Sequence, residues 1–263
     1  MNDNEQMEFF YDIFDASLPR LGPGDDLSTK KALNKLLSAK SQCMDAPSSG
    51  KLRILDIGCG NGAQTIQLAK HIDGTILAVD NHQPFLDELQ RRAEAEGVFD
   101  KIELYLKDMS DLGLDEGSFD LIWSEGALYS MNFRKGLTVC YSLLAPGGLM
   151  AVTELTWFRP DPPEECRQFF ANEYPEMVDI DTNLANIKSC GYKVLGHFTL
   201  PESTWLKSYY NPLEERLQIF RKKYATDPER IEMIDSIQME IEIYRRHSSY
   251  YGYVFYLMQR CQT

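Results

Sequence analysis

No two of the six cysteines in this 263-residue chain form a Cys-x-x-Cys pair. Scattered at positions 43, 59, 140, 166, 190 and 261, they argue against structural disulfides or a zinc site and for a reducing cytoplasm. The four histidines, 71, 82, 197 and 247, also lack metal-ligand spacing, so no metal is expected. Long apolar runs are missing too: nothing reaches the roughly 18 residues that a membrane-spanning helix needs. The first eight residues are acidic and polar, the wrong chemistry for a secretory signal. Basic charge is scarce, 27 Lys and Arg against 40 Asp and Glu, for a net charge of -13. The two short basic runs, Arg221-Lys222-Lys223 and Arg245-Arg246-His247, are flanked by acids. An anionic polymer or membrane surface is therefore a poor partner, and a small molecule is the better expectation. What remains is a chain with 43% hydrophobic residues, ample for a buried core; a monomer or homodimer is the expectation, though composition does not decide it.

Five short apolar runs read as buried strands, at residues 52–57, 75–80, 102–106, 119–124 and 149–155. Helical patterns lie between them, at 63–71, 84–96 and 132–144, the last stopped by Pro146-Gly147-Gly148. Strands alternating with helices give βαβ units, and so a doubly wound parallel sheet with helices on both faces, its core spanning about residues 50–155. Outside that core, residues 1–45 read as two helices, 5–14 and 27–40, joined by a Pro/Gly turn, with a linker at 45–50. Residues 46–263 form the main domain. Its distal part holds a helix at 181–190, a strand at 192–200, helices at 212–224 and 228–246, and a final strand at 250–259. The helical insertion covers about 201–248, and in its last helix Ile231, Ile234, Ile237, Ile241 and Tyr244 share one face.

The chemistry starts at Leu55-Asp56-Ile57-Gly58-Cys59-Gly60-Asn61-Gly62, a turn from the first strand into a helix. Glycines there permit positive φ and let a ligand approach the backbone closely. Gly58, Gly60 and Ala63 also satisfy the dinucleotide pattern, so the loop alone leaves a nicotinamide cofactor open. Three acids weigh against that reading. Asp56 is expected to point a carboxylate into the space a pyrophosphate would fill, which repels phosphate and favours a cation. Asp80, ending the second strand, suits the two ribose hydroxyls. Asp108 suits an adenine amino group, with Met109 packing on the ring. Ribose, adenine and a cationic amino-acid tail together describe S-adenosylmethionine.

The run from Ile54 to Gly62 resembles motif I of the class I S-adenosylmethionine-dependent methyltransferases, and Asp80, Asp108-Met109 and Phe119-Asp120-Leu121-Ile122-Trp123-Ser124 resemble the later motifs in order. Pro19-Arg20-Leu21-Gly22-Pro23-Gly24, Trp123 to Tyr129 and Tyr250-Tyr251-Gly252-Tyr253 are similar to a bacterial small-molecule-type group of unassigned substrate. The resemblance implies a Rossmann-like seven-stranded sheet whose last strand is antiparallel. It implies cofactor contacts from Asp56, Gly58, Gly60, Asn61, Asp80, Asn81, Asp108, Met109 and Ser124. It also implies an enzyme that methylates a small molecule by in-line displacement; the alternatives are an RNA or protein acceptor, or a protein that holds the cofactor without turnover.

Methyl transfer from a sulfonium mainly requires alignment and exclusion of water, so a general base is optional. Glu125 and Tyr129, on the segment after the fourth strand, are the candidate catalytic residues: Glu125 to contact cofactor or substrate, or merely to cap the turn, and Tyr129 to close over the methyl group. Glu154, ending the fifth strand, is a less specific candidate. The Asn/Asp-Pro-Pro-Tyr motif of amide and exocyclic-nitrogen methylation is missing. The turn at Arg20 to Gly24 is expected to fold over the cofactor as part of an N-terminal lid. Aromatics of the distal part, Trp157, Phe158, Trp205, Tyr209 and Tyr210, suit a pocket for an apolar or cationic molecule, or simply pack the added helices.

Overall fold

The computed structural model describes residues 1–43 and 51–261, so the expected linker at 45–50 lies outside the described residues. Two helices, α1 (Asp3–Ile13) and α2 (Asp26–Cys43), precede the sheet. Alternation follows: β1 (Leu52–Ile57), α3 (Ala63–His71), β2 (Gly74–Asp80), α4 (Gln83–Ala95), β3 (Ile102–Leu106), β4 (Phe119–Ser124), α5 (Phe133–Leu143) and β5 (Leu144–Trp157). The distal part contributes α6 (Glu164–Glu173), α7 (Ile180–Ser189), β6 (Tyr192–Thr199), α8 (Glu202–Trp205), α9 (Asn211–Lys223), α10 (Pro228–His247) and β7 (Tyr251–Arg260).

The sheet has seven strands in the order β3-β2-β1-β4-β5-β7-β6. β1 to β5 run parallel, and β7 is antiparallel to both β5 and β6. Successive side chains on a strand point to opposite faces, and both faces here are covered. Ile54, Trp123, Ala151 and Phe255 accordingly join one apolar cluster, while Leu55, Ile57, Ile122 and Tyr256 join the other. The chain reverses direction across the sheet beside β1, with β2 on one side and β4 on the other. The carboxyl ends of β1, β2 and β4 thus border the crevice where open α/β sheets hold ligands.

Helix ends follow their local chemistry. The Asp227 side chain accepts from Arg230 N at 3.1 Å and Pro228 opens α10, whose residues Ile234, Ile241 and Tyr244 are buried. α1 packs on α9, and α2 packs on α3 and against β5 and β7, so both N-terminal helices lie against the main body. Two features depart from the sequence expectation. Pro146-Gly147-Gly148 sits inside β5, because residues 145–148 loop out between the Phe119–Leu144 and Leu121–Leu149 pairs. Residues 164–173 form the unexpected helix α6, which presents Phe170 to the core. Between α8 and α9 the helix widens to a π turn over Leu206–Tyr210. Pro212 lacks an N–H and its ring would clash with the Ser208 carbonyl, and the widening occurs just there. No helix among the described residues is long and apolar enough to cross a membrane.

Candidate active site

The glycine loop is pinned from β2. Gly58 N and Cys59 N both donate to Val79 O at 2.9 Å, while the Asp80 carboxylate accepts from Gly60 N at 2.9 Å and His82 N at 3.0 Å. Burial raises the Asp80 pKa, opposed by those two amide donors. Gly58 has φ +69°, and a Cβ there would lie 2.3 Å from the Ala127 Cβ, so the loop after β4 presses against β1's turn. Gly58→Ala is therefore expected to cost about 2 kcal/mol, through overpacking added to left-handed strain, read as a fall in thermal midpoint.

Above this loop lies a recess of about 340 Å³, lined among others by Gly60, Asn61, Asp80, Asn81, Met109 and Ala127. Three residues expected to bind the cofactor do not line it. Asp56 shares a strand face with Ile54, which takes its carboxylate beneath α3; there it accepts from Thr65 Oγ1 at 2.6 Å and from Gln64 Nε2 at 3.5 Å. Burial pushes its pKa up to about 7, and Glu125 and Asp80 lie near enough to push the same way. Asp56 thus braces the turn from beneath without reaching into the recess. Ser124 is fully buried and donates to Ile57 O at 2.9 Å, tying β4 to β1. Asp108 is exposed; it accepts from Ser110 N at 2.8 Å and Ser110 Oγ at 2.6 Å, and a side-chain hydrogen bond with Asn81 ties it to the rim of the recess.

The turn at Arg20 to Gly24 brings a buried ion pair into the site that the sequence does not announce. Arg20, 8% exposed, reaches Glu125 at 3.4 Å and Asp26 at 2.9 Å. Glu125 also accepts from Thr29 Oγ1 at 2.7 Å and Trp123 Nε1 at 2.9 Å. Its pKa is raised by burial, with Arg20 and the Thr29 and Trp123 donors pulling it down. Glu125 lines the recess as expected, but its carboxylate is committed to anchoring the N-terminal segment. Asn61 behaves alike: its amide donates to Ala16 O at 3.0 Å and Leu18 O at 2.7 Å. Arg92 donates to the same two carbonyls. These clamps hold Leu21, Gly22 and Pro23 against the recess, and the Tyr11 ring stacks on His82 at a centroid separation of 3.6 Å.

A second cavity of about 370 Å³ adjoins the first, the two sharing Phe10, Leu21, Phe85, Gly126 and Tyr129. Tyr129, 46% exposed, stands at that junction with its ring 5.9 Å from Tyr174. The wall beyond is aromatic: Phe170 from α6, Trp205 from α8, Tyr209 and Tyr210 from the π turn, Tyr251 and Tyr253 from β7. Glu154, 2% exposed, accepts from Tyr174 Oη at 2.5 Å, and burial lifts its pKa to about 8. Because the folded pKa lies above the ordinary 4.5, this residue's contribution to stability is complete below pH 4.5 and is lost as pH rises through about 8. Glu154→Gln keeps the acceptor for Tyr174 and removes the titration. Its thermal midpoint relative to the parent is expected to rise between those limits and level off above about pH 9.

The recess suits a nucleoside bearing a cation rather than a pyrophosphate. Among the described residues that line it, the one Lys or Arg is Arg20, already neutralised by Glu125 and Asp26. Residues 54–148 match a family model described as a methyltransferase domain. Those residues carry the likeness to a methyltransferase domain. Over 172 residues it is 24% identical to a sterol 24-C-methyltransferase of Aspergillus fumigatus, an alignment spanning 62% of this chain and 45% of that relative. The chain thus spans about half the length of the curated sterol methyltransferases it matches. A Thiobacillus denitrificans S-adenosylmethionine-dependent methyltransferase, solved with S-adenosyl-L-homocysteine, superposes with TM-score 0.77 at 20% identity over 95% of this chain and 97% of that one. The cyclase SpnF gives TM-score 0.73 at 15% identity, over 98% and 96% of the two chains.

Proposed function

We propose that the protein is an S-adenosylmethionine-dependent methyltransferase acting on a small molecule. The observation that carries this reading is the pair of joined cavities: a recess bounded by the glycine loop and Asp80, opening beside Tyr129 into an aromatic chamber. When bound, the cofactor supplies an electrophilic methyl group on a sulfonium. Gly60, Asp80, Asn81 and Met109 hold it, with Asp80 accepting from the ribose hydroxyls and Met109 packing on the base. With Arg20 paired to Glu125 and Asp26, Asp80 leaves the recess negative, which favours a cationic centre over a phosphate. Residues 1–45 serve as a lid that excludes water, fastened by Arg20, Asn61 and Arg92. Tyr129 lies between donor and acceptor spaces and orients the acceptor. The scattered free thiols and acidic charge fit work in the cytoplasm, as a monomer or homodimer, without a nucleic-acid partner.

Incubation with methyl-labelled S-adenosylmethionine and a fractionated metabolite extract is expected to move label into an organic small molecule. A second reading, retention of the cofactor without methyl transfer, draws on the fold shared with a cyclase. Binding without any turnover in that extract favours the second reading over the first.

A further inference from the structure

Charge in the aromatic chamber is one-sided. Among the described residues lining it are two carboxylates, Glu173 and Glu240, and no lysine, arginine or histidine. Glu240 projects from α10 and, among the described residues, receives one hydrogen bond, from Tyr210 Oη at 2.7 Å, and pairs with no cation. Tyr251, 1% exposed, also lines the chamber, and its hydroxyl has no hydrogen-bond partner. A carboxylate enclosed by rings and left without a counter-charge is costly to ionise, and a ligand that brings the missing positive charge removes that cost. The same rings offer their negative faces to a cation. An anionic molecule would instead meet two like charges with nothing to offset them.

Resting on the methyltransferase reading above, we infer that the acceptor is an organic amine with an apolar body, its nitrogen set against Glu240 within the cage of Trp205, Tyr209, Tyr210 and Tyr251. The amine enters as an ammonium and gives its proton to the Glu240 carboxylate. The freed nitrogen lone pair then forms the new N–C bond as the S–C bond breaks, the bonding pair leaving on sulfur as the neutral thioether. The methylated nitrogen carries the positive charge that the sulfonium loses, so charge is conserved within the two joined cavities. Burial also raises the Glu240 pKa, with Tyr210 opposing and Glu173 adding to it, which suits a proton acceptor.

The test uses three probes of one shape class, benzyltrimethylammonium, its uncharged carbon isostere neopentylbenzene, and phenylacetate. Each is titrated by tryptophan fluorescence against the full chain, with and without S-adenosylhomocysteine. The ammonium is expected to bind about tenfold or more tighter than the isostere, and phenylacetate not at all. In Glu240→Gln, which retains an acceptor for Tyr210, that preference is expected to disappear. Equal or tighter binding of the isostere, binding of phenylacetate, no binding of any probe, or an undiminished preference in E240Q each overturns the proposal. Titration of S-adenosylhomocysteine alone decides the donor reading, so failure of one is distinguishable from failure of the other.

Discussion

Asp80→Ala is expected to weaken S-adenosylhomocysteine binding by about 100-fold or more. The carboxylate stands at the end of β2 with one oxygen on Gly60 N and the other on His82 N, so it does two jobs at once. In the proposed complex it accepts from the ribose, and it fixes the backbone of the loop on which the ligand would rest. Hydrogen bonds to a charged acceptor contribute roughly 1.5–3 kcal/mol each, and losing two of them accounts for the expected factor. Asp80→Asn keeps one neutral acceptor and is expected to lose only about tenfold. Calorimetric titration of both variants measures this. Parent-like affinity in Asp80→Ala would show that the nucleoside sits elsewhere.

Arg20→Ala is expected to lower stability by about 3 kcal/mol, with a fall in thermal midpoint of roughly 6–12 °C. The pair it breaks is enclosed: the Arg20 and Glu125 side chains are 9% and 5% exposed, so truncation leaves a buried carboxylate with Thr29 and Trp123 alone. The second arm, to Asp26, is 62% exposed on the acid's side and contributes at most about 1 kcal/mol. If the loss arises from the stranded charge, Arg20→Ala combined with Glu125→Gln recovers most of it. A double variant no more stable than Arg20→Ala alone would assign the effect to packing of the arginine stem instead.

Much of this was legible in the sequence, for reasons that differ by residue. β1 and its glycine loop were readable because a parallel strand covered on both faces is a continuous apolar run, and a tight exit from it demands glycine. The closing antiparallel strand was expected on the strength of the family resemblance, and β7 fills that place. The place of Asp56 just before the glycine loop suggests a ligand contact, but strand alternation sets it on the Ile54 face, under Thr65. Strand parity was available in the sequence and was the better guide. Arg20 falls within a local motif of the sequence, yet its ion pair spans 105 residues and depends on how α2 docks. No local pattern encodes that. Glu240 is an intermediate case. It lies three residues after Ile237 and four before Tyr244, on the edge of the apolar stripe of α10, where an ordinary solvated glutamate is not expected. The chamber it lines is built from α6, the π turn and β7, elements far apart in sequence, so its one-sided charge emerges only in three dimensions.

The central claim is that the recess over the glycine loop takes a phosphate-free, sulfur-bearing nucleoside. Parallel titrations of the unaltered chain with S-adenosylhomocysteine and with NADH test it most directly. The expected result is saturable binding of S-adenosylhomocysteine at one site per chain and no quenching of NADH fluorescence. Saturable NADH binding, or no heat from S-adenosylhomocysteine at high protein concentration, would contradict it.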